Sequence, residues 1–202
     1  MEDFPPRAIP AQFFTSLLFS LAEKTGFPPR PITLFGLAPS GAPVVLRLDD
    51  PLTGALLITG ERTKTNALLQ TICHSALALN GHQAGVAVIT SRPQDWEANS
   101  RMSVFSDSTP FEWIVTFIQE RADGVILLLV EDYELVVQEI ETFRSICAHG
   151  PSRKVWTICA AEPSTSIPGW LFSTRITETT RPGTFRMSTR AGQVFFSVPN
   201  GG

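Results

Sequence analysis

Lys64 and Thr65 are the two side chains of this sequence best suited to handling phosphate, because of what precedes them. The apolar run Ala55-Leu-Leu-Ile-Thr59 ends in Gly60, and Lys-Thr then opens an apolar-periodic stretch. Strand, tight turn and helix in that order make a phosphate-binding loop, in which a Lys reaches the phosphates and a Thr hydroxyl reaches Mg²⁺. The working pattern G-x-x-x-x-G-K-[ST] places five residues between its first Gly and the Lys. Here only Glu61, Arg62 and Thr63 separate Gly60 from Lys64, and Thr63 stands where the second Gly belongs. Such a loop works by curling successive N–H groups around a phosphate over a helix N-terminus. Shortening it removes donors, a Cβ at Thr63 crowds the phosphate path, and Glu61 adds an anion that Arg62 can offset. Gly60, Arg62, Thr63, Lys64 and Thr65 are therefore the candidate nucleotide-binding residues. The same residues also fit a plain strand–turn–helix junction with Lys64 solvated.

A second chemical signal follows the most apolar run, Val125-Ile-Leu-Leu-Leu-Val130, where Glu131 and Asp132 stand together. Beside a phosphate loop, an acid at the end of a strand can hold Mg²⁺ and a second acid can polarise the attacking water. Glu131 is the candidate metal ligand with Thr65, and Glu131 and Asp132 are the candidate catalytic pair if any turnover survives. The alternative is two solvated carboxylates capping the following helix, favourable with its dipole.

These residues need elements to hold them. Val86–Thr90, Val125–Val130 and Lys154–Ala160 read as buried strands, the second a central parallel one. Helices are expected at about 64–80, at Pro110–Arg121 with Asp107, Ser108 and Thr109 as capping candidates, and after the Val125–Val130 strand to about Ala148. Leu34–Leu48 reads as a hairpin turning around Pro39 to Gly41, and Trp170–Ile176 and Gln193–Val198 as further strands. The alternation predicts an α/β three-layer sandwich with a mostly parallel central sheet over residues 32–202. Residues 1–31 carry six prolines and read as an extension around one amphipathic helix, with Phe13, Phe14, Leu17, Leu18 and Leu21 in its apolar stripe. That stripe either braces the domain or docks on a partner.

Composition narrows the function classes. The chain has 202 residues, 43% of them hydrophobic and 17% charged, enough for a large core. A net charge of −3 gives no global attraction to nucleic acid. Three scattered cysteines fit buried, reduced thiols in a cytoplasmic protein. They form no metal-ligand spacing with His74, His82 and His149. No apolar run is long enough to span a membrane.

From residue 34 onward the chain resembles the FtsK/HerA-like branch of phosphate-loop motor ATPases. The resemblance runs through Gly41-Ala-Pro-Val-Val-Leu-Arg-Leu48, Leu56–Gly60 with Lys64-Thr65, and Leu127-Leu-Leu-Val-Glu131-Asp132-Tyr. It continues through Val155-Trp-Thr-Ile-Cys-Ala-Ala-Glu-Pro-Ser164, Phe172-Ser-Thr-Arg175-Ile and Gly192-Gln-Val-Phe-Phe196. It implies ATP or ADP with Mg²⁺ as ligands, related ATPase-type subunits in a homo- or hetero-oligomer as partners, and Arg175 as an arginine acting across a subunit boundary or sensing phosphate. The departures fall on chemistry. The loop is short, the acidic pair is inverted, and Ala161 replaces the family's polar sensor. Each lost electrostatic group costs about 10²–10³ in rate. The expectation is a degenerate, catalytically inactive ATPase-like domain serving binding or assembly. An active DNA or protein translocase and a non-hydrolysing nucleotide switch are the alternatives.

Overall fold

Residues 125–130 are apolar on both sides of a period-two strand, so they must lie between two helical layers. The computed structural model describes residues 31–48, 50–51, 54–97, 100–120, 123–189 and 192–198, together with 16, 20 and 23. The expected N-terminal stripe, Phe13 to Leu21, lies outside the described residues. The strands are β1 (Ile32–Leu37), β2 (Pro43–Arg47), β3 (Leu56–Thr59), β4 (Ala84–Ile89) and β5 (Met102–Phe105), then β6 (Val125–Val130), β7 (Val155–Ala161), β8 (Thr174–Glu178), β9 (Thr184–Thr189) and β10 (Gly192–Ser197). They form one sheet in the order β2-β1-β10-β9-β8-β3-β7-β6-β4-β5. From β5 to β8 every pairing is parallel, and from β8 to β2 every pairing is antiparallel.

Helix α1 (Arg62–Leu79) covers one face, and α2 (Pro110–Glu120) and α3 (Ile140–His149) belong to the other. Alternation along β6 divides its side chains accordingly. Leu127 and Leu129 join Leu68, Leu69 and Ile72 of α1, while Ile126, Leu128 and Val130 join Phe111, Ile114, Phe143 and Ile146. Each such fully buried side chain contributes about 1.5–3 kcal/mol by leaving water. The expected three-layer α/β sandwich is therefore present. No described helix is long and apolar enough to cross a membrane.

Three element assignments need correction. Helix α1 begins at Arg62 rather than 64, so the turn before it is shorter than the sequence motif implies. The segment after Asp132 is first a tight 3₁₀ run, Tyr133–Glu139, and becomes α-helical only at Ile140. Trp170 belongs to a short turn, Gly169–Leu171, and β8 starts at Thr174. Of the capping candidates, Asp107 closes a turn just ahead of α2, its Oδ1 accepting the Thr109 N–H at 2.9 Å.

The end of α1 is fastened to β1 by one amide. Asn80 Oδ1 accepts the Ile32 N–H at 2.9 Å, and its Nδ2 donates to Ile32 O at 2.8 Å and to Ala76 O. Asn80→Ala should lower unfolding free energy by about 1–3 kcal/mol, because it strands buried backbone groups; denaturant melts measure this. Cys73, Cys147 and Cys159 are all free and buried. Burial pushes the Cys73 and Cys147 thiols up to about 12 and raises Cys159 well above the ordinary range. The stability these thiols add is fully present below their ordinary 9.0 and declines as pH climbs towards about 12. At pH 8 a thiol reagent should label no native cysteine and all three in denaturant.

Candidate functional site

Strands β3, β7, β6 and β4 all point their carboxyl ends to one edge, and that edge collects both chemical signals. Strand β3 ends at Thr59 and α1 starts at Arg62, so only Gly60 and Glu61 lie between them. Two residues cannot make a curl. The Gly60 N–H instead donates to Ala161 O at 3.2 Å, extending the β3–β7 ladder. The Lys64 and Thr65 N–H groups donate to Glu61 O at 3.0 and 2.9 Å, as ordinary first-turn helix bonds. The Thr63 hydroxyl donates to the Glu61 carboxylate. Lys64 is thus the third residue of the helix, and Thr65, 2% exposed, turns its hydroxyl back to Arg62 O at 3.1 Å.

The Glu61 N–H, which in a working loop would face phosphate, already has an anion. It donates to Glu178 Oε2 at 2.7 Å, from the carboxyl end of β8. The other oxygen, Glu178 Oε1, accepts the Gly183 N–H at 3.3 Å. Gly60 permits this approach: a Cβ there would lie 2.7 Å from Glu178 Cβ. The first glycine of the motif therefore makes room for a carboxylate rather than for a phosphate.

The acidic pair is also occupied. Arg62 Nη2 lies 2.7 Å from Asp132 Oδ1, donates to Asp132 Oδ2 at 2.9 Å, and reaches Ser91 Oγ at 3.1 Å. Asp132 Oδ2 also accepts the Ser91 N–H at 2.7 Å. Glu131 Oε2 accepts from the Thr90 hydroxyl at 2.6 Å and the Trp96 indole N–H at 3.1 Å. Glu131 Oε1 accepts no hydrogen bond; Arg62 Nε stands 3.6 Å away. Neither acid is a solvated helix cap, since their side chains are 1% and 13% exposed, and the helix they were expected to cap begins later.

A cavity of about 230 Å³ opens over this cluster, lined among others by Arg62, Thr65, Glu131, Asp132, Glu134 and Glu162. Lys64 is not among its lining residues. The structure thus brings Gly60, Arg62, Thr65, Glu131 and Asp132 to one edge, with Arg62 facing the acids. Arg175 lies at the start of β8, opposite Leu57, and donates to Gly169 O at 3.4 Å, away from this cluster. Among the described residues no His/Cys/Asp/Glu group has metal-site geometry. The donor set does not fit a Mg²⁺–triphosphate: the amide that would meet phosphate holds a carboxylate, and a guanidinium stands against both acids.

Four contributors escaped sequence reasoning. Glu178 is the one acid among Arg175, Arg181, Arg186 and Arg190. Thr90 and Ser91 follow β4, and Trp96 closes over Glu131 from the turn Pro93–Asp95, with no local signal at all. Arg62→Gln should cost about 1–3 kcal/mol, since it strands a nearly buried carboxylate. A double-mutant cycle with Asp132→Asn should give a coupling of about 0.5–3 kcal/mol by denaturant titration; additivity would remove the pair's role.

No protein-family model matches this sequence, and no curated protein matches it in sequence. Solved structures do match in shape. The cytoplasmic domain of EssC superposes with a TM-score of 0.73 at 12% identity, covering 98% of this chain and 47% of that one. ATPases 2 and 3 of Thermomonospora curvata EccC, in complex with a signal sequence peptide, give 0.70 at 15% identity over 97% of this chain and 44% of theirs. The pCW3 conjugation coupling protein TcpA, in a monomer form with ATPγS, gives 0.66 at 12% identity over 87% and 67%. The chain spans about half the length of the EssC and EccC structures it matches. At these identities the likeness establishes architecture, and by it this chain has the fold of the FtsK/HerA-type P-loop ATPase domains.

Proposed function

We propose that this chain is an ATPase-like domain whose nucleotide seat has been closed, and that it serves as a binding or assembly component beside related ATPase-type subunits. The observation that carries this reading is the Glu178 carboxylate on the Glu61 N–H. An anion bound there must displace an intramolecular acceptor and then sit beside Glu61 and Glu178. Charge-assisted hydrogen bonds of this kind are about twice as strong as neutral ones, and like charges at contact distance are repelled. The Arg62 guanidinium on Glu131 and Asp132 supports the same reading. It supplies the positive charge that a metal would otherwise bring to two adjacent carboxylates.

The neighbours support partnership with ATPase-type domains. EccC is described as ATPases 2 and 3 in one structure, and this chain matches less than half of it. One domain of this fold beside another is the arrangement we assign. Turnover is not expected from this chain, since Lys64 lies outside the cavity and Glu131 is buried under Trp96 and Thr90.

Calorimetric titration with Mg²⁺–ATP should give no saturable binding up to about 1 mM, the range in which binding free energy falls to roughly −4 kcal/mol. Lys64→Ala should leave that result unchanged. Saturable binding weakened by Lys64→Ala would defeat the proposal, and steady ATP hydrolysis abolished by Glu131→Ala would replace it with an active enzyme.

A further inference from the structure

The β1–β2 hairpin is hydrogen-bonded to the helical layer by side chains where a sheet interior would use a strand. Among the described residues β1 meets β10 at a single pair, Leu37 opposite Ser197. Further along β1 the Leu34 N–H donates to Ser75 Oγ at 2.9 Å, and the Ile32 N–H to Asn80 Oδ1 at 2.9 Å. The Thr33 hydroxyl donates to Ile72 O at 2.7 Å and meets Ser75 Oγ at 2.7 Å. A segment held by so few bonds opens locally before the domain unfolds. One of those holding residues is chemically labile. Asn80 is followed by Gly81, and asparagine is a thermolabile residue. The glycine has no Cβ to shield its amide nitrogen or restrict its rotation.

We propose that Asn80–Gly81 is a self-modification site gated by the hairpin, and that its reaction makes the parting of β1 from α1 permanent. The Gly81 nitrogen gives its proton to solvent base and attacks Asn80 Cγ. A C–N bond forms, the Cγ–Nδ2 bond breaks, and Nδ2 takes up a proton and leaves as ammonia. Water then opens the cyclic imide at either carbonyl, giving aspartate or isoaspartate, with no change of oxidation state. The closed structure blocks every part of this. At Asn80 a ψ of 5° leaves Gly81 N eclipsed with the Asn80 nitrogen and turned away from the side chain. The amide is held at both ends, Oδ1 by the Ile32 N–H and Nδ2 by Ile32 O at 2.8 Å and Ala76 O at 2.6 Å. Arg101 donates to Leu77 O and Gly81 O and so fixes the next peptide. When β1 lifts, two of the three amide contacts are lost and water reaches Cγ. The product cannot dock again. An ionised aspartate only accepts, so it would meet Ile32 O and Ala76 O with no proton to offer, which is costly in a buried site. Isoaspartate adds a methylene to the main chain at the end of α1.

The test incubates the full chain in mildly alkaline buffer and follows residue 80 by peptide mapping that separates asparagine, aspartate and isoaspartate. Hydrogen exchange at the Ile32 and Leu34 amides reads the opening. The other Asn-Gly pair, Asn200–Gly201, calibrates the intrinsic rate in denaturant. Conversion at Asn80 should be about 10²-fold slower in the native chain than in denaturant, the protection a local opening confers. Ser75→Ala removes the Leu34 acceptor and leaves Asn80–Gly81 intact. It should speed native conversion and Ile32 exchange together by about tenfold, one buried hydrogen bond's worth. Should that variant not fold, the unaltered chain in sub-denaturing urea gives the same comparison, with both rates rising in step. Converted molecules should have lost exchange protection at Ile32. Equal native and denatured rates at Asn80 overturn the proposal. So does faster Ile32 exchange without faster conversion, and so do converted chains that keep Ile32 protected.

Discussion

The carboxyl edge of this sheet is organised by one contact, the Glu178 carboxylate on the Glu61 N–H. It fixes the distance between β8 and the start of α1, and Gly60 has to lack a side chain for that distance to exist. It also satisfies a helix amide that would otherwise be an orphan donor. With that amide spoken for, α1 can begin two residues after β3, and its first residue can be an arginine facing across to β6. The Arg62–Asp132 pair is thus a consequence of the short turn. A longer loop would carry residue 62 above the sheet edge, out of reach of the acids.

The buried charges obey the same economy. Glu131 would be expensive in the core without donors, and Thr90, Trp96 and Arg62 surround it from three separate segments. Asp132 meets Arg62 from one side and the Ser91 N–H from the other. The ends of β4 and β6 and the start of α1 are therefore tied together by polar contacts, where the sheet interior is tied by apolar ones. Opposite, at the other end of α1, Asn80 does the equivalent for β1.

Much of this architecture was legible in the sequence because apolar periodicity reports burial directly. Val125–Val130 and Val155–Ala161 are continuous apolar strands, and they lie where such strands must, in the parallel centre. The resemblance to FtsK/HerA-type domains held at the level of fold. The elements that escaped are those whose burial is partial. Strand β5 has four residues at the sheet's edge, and β9 mixes Thr184, Arg186 and Ser188 with its apolar positions, so neither shows a continuous apolar run. The site was legible only in its residues. Gly60, Arg62, Thr65, Glu131 and Asp132 were singled out, yet what each one touches depends on Glu178, Thr90, Ser91 and Trp96, which the ends of β8 and β4 bring in from distant parts of the sequence. Sequence spacing also could not tell that α1 would absorb Arg62 and Thr63, because a helix start without a side-chain cap leaves no mark.

The two halves of the central contact are separated by 117 positions in the chain. Replacing Glu178 alone would free one amide but leave a turn of two residues. Inserting residues after Gly60 alone would leave the carboxylate in place. Neither change by itself supplies a phosphate cradle, so strand β8 and the turn before α1 constrain each other across the whole length of the domain.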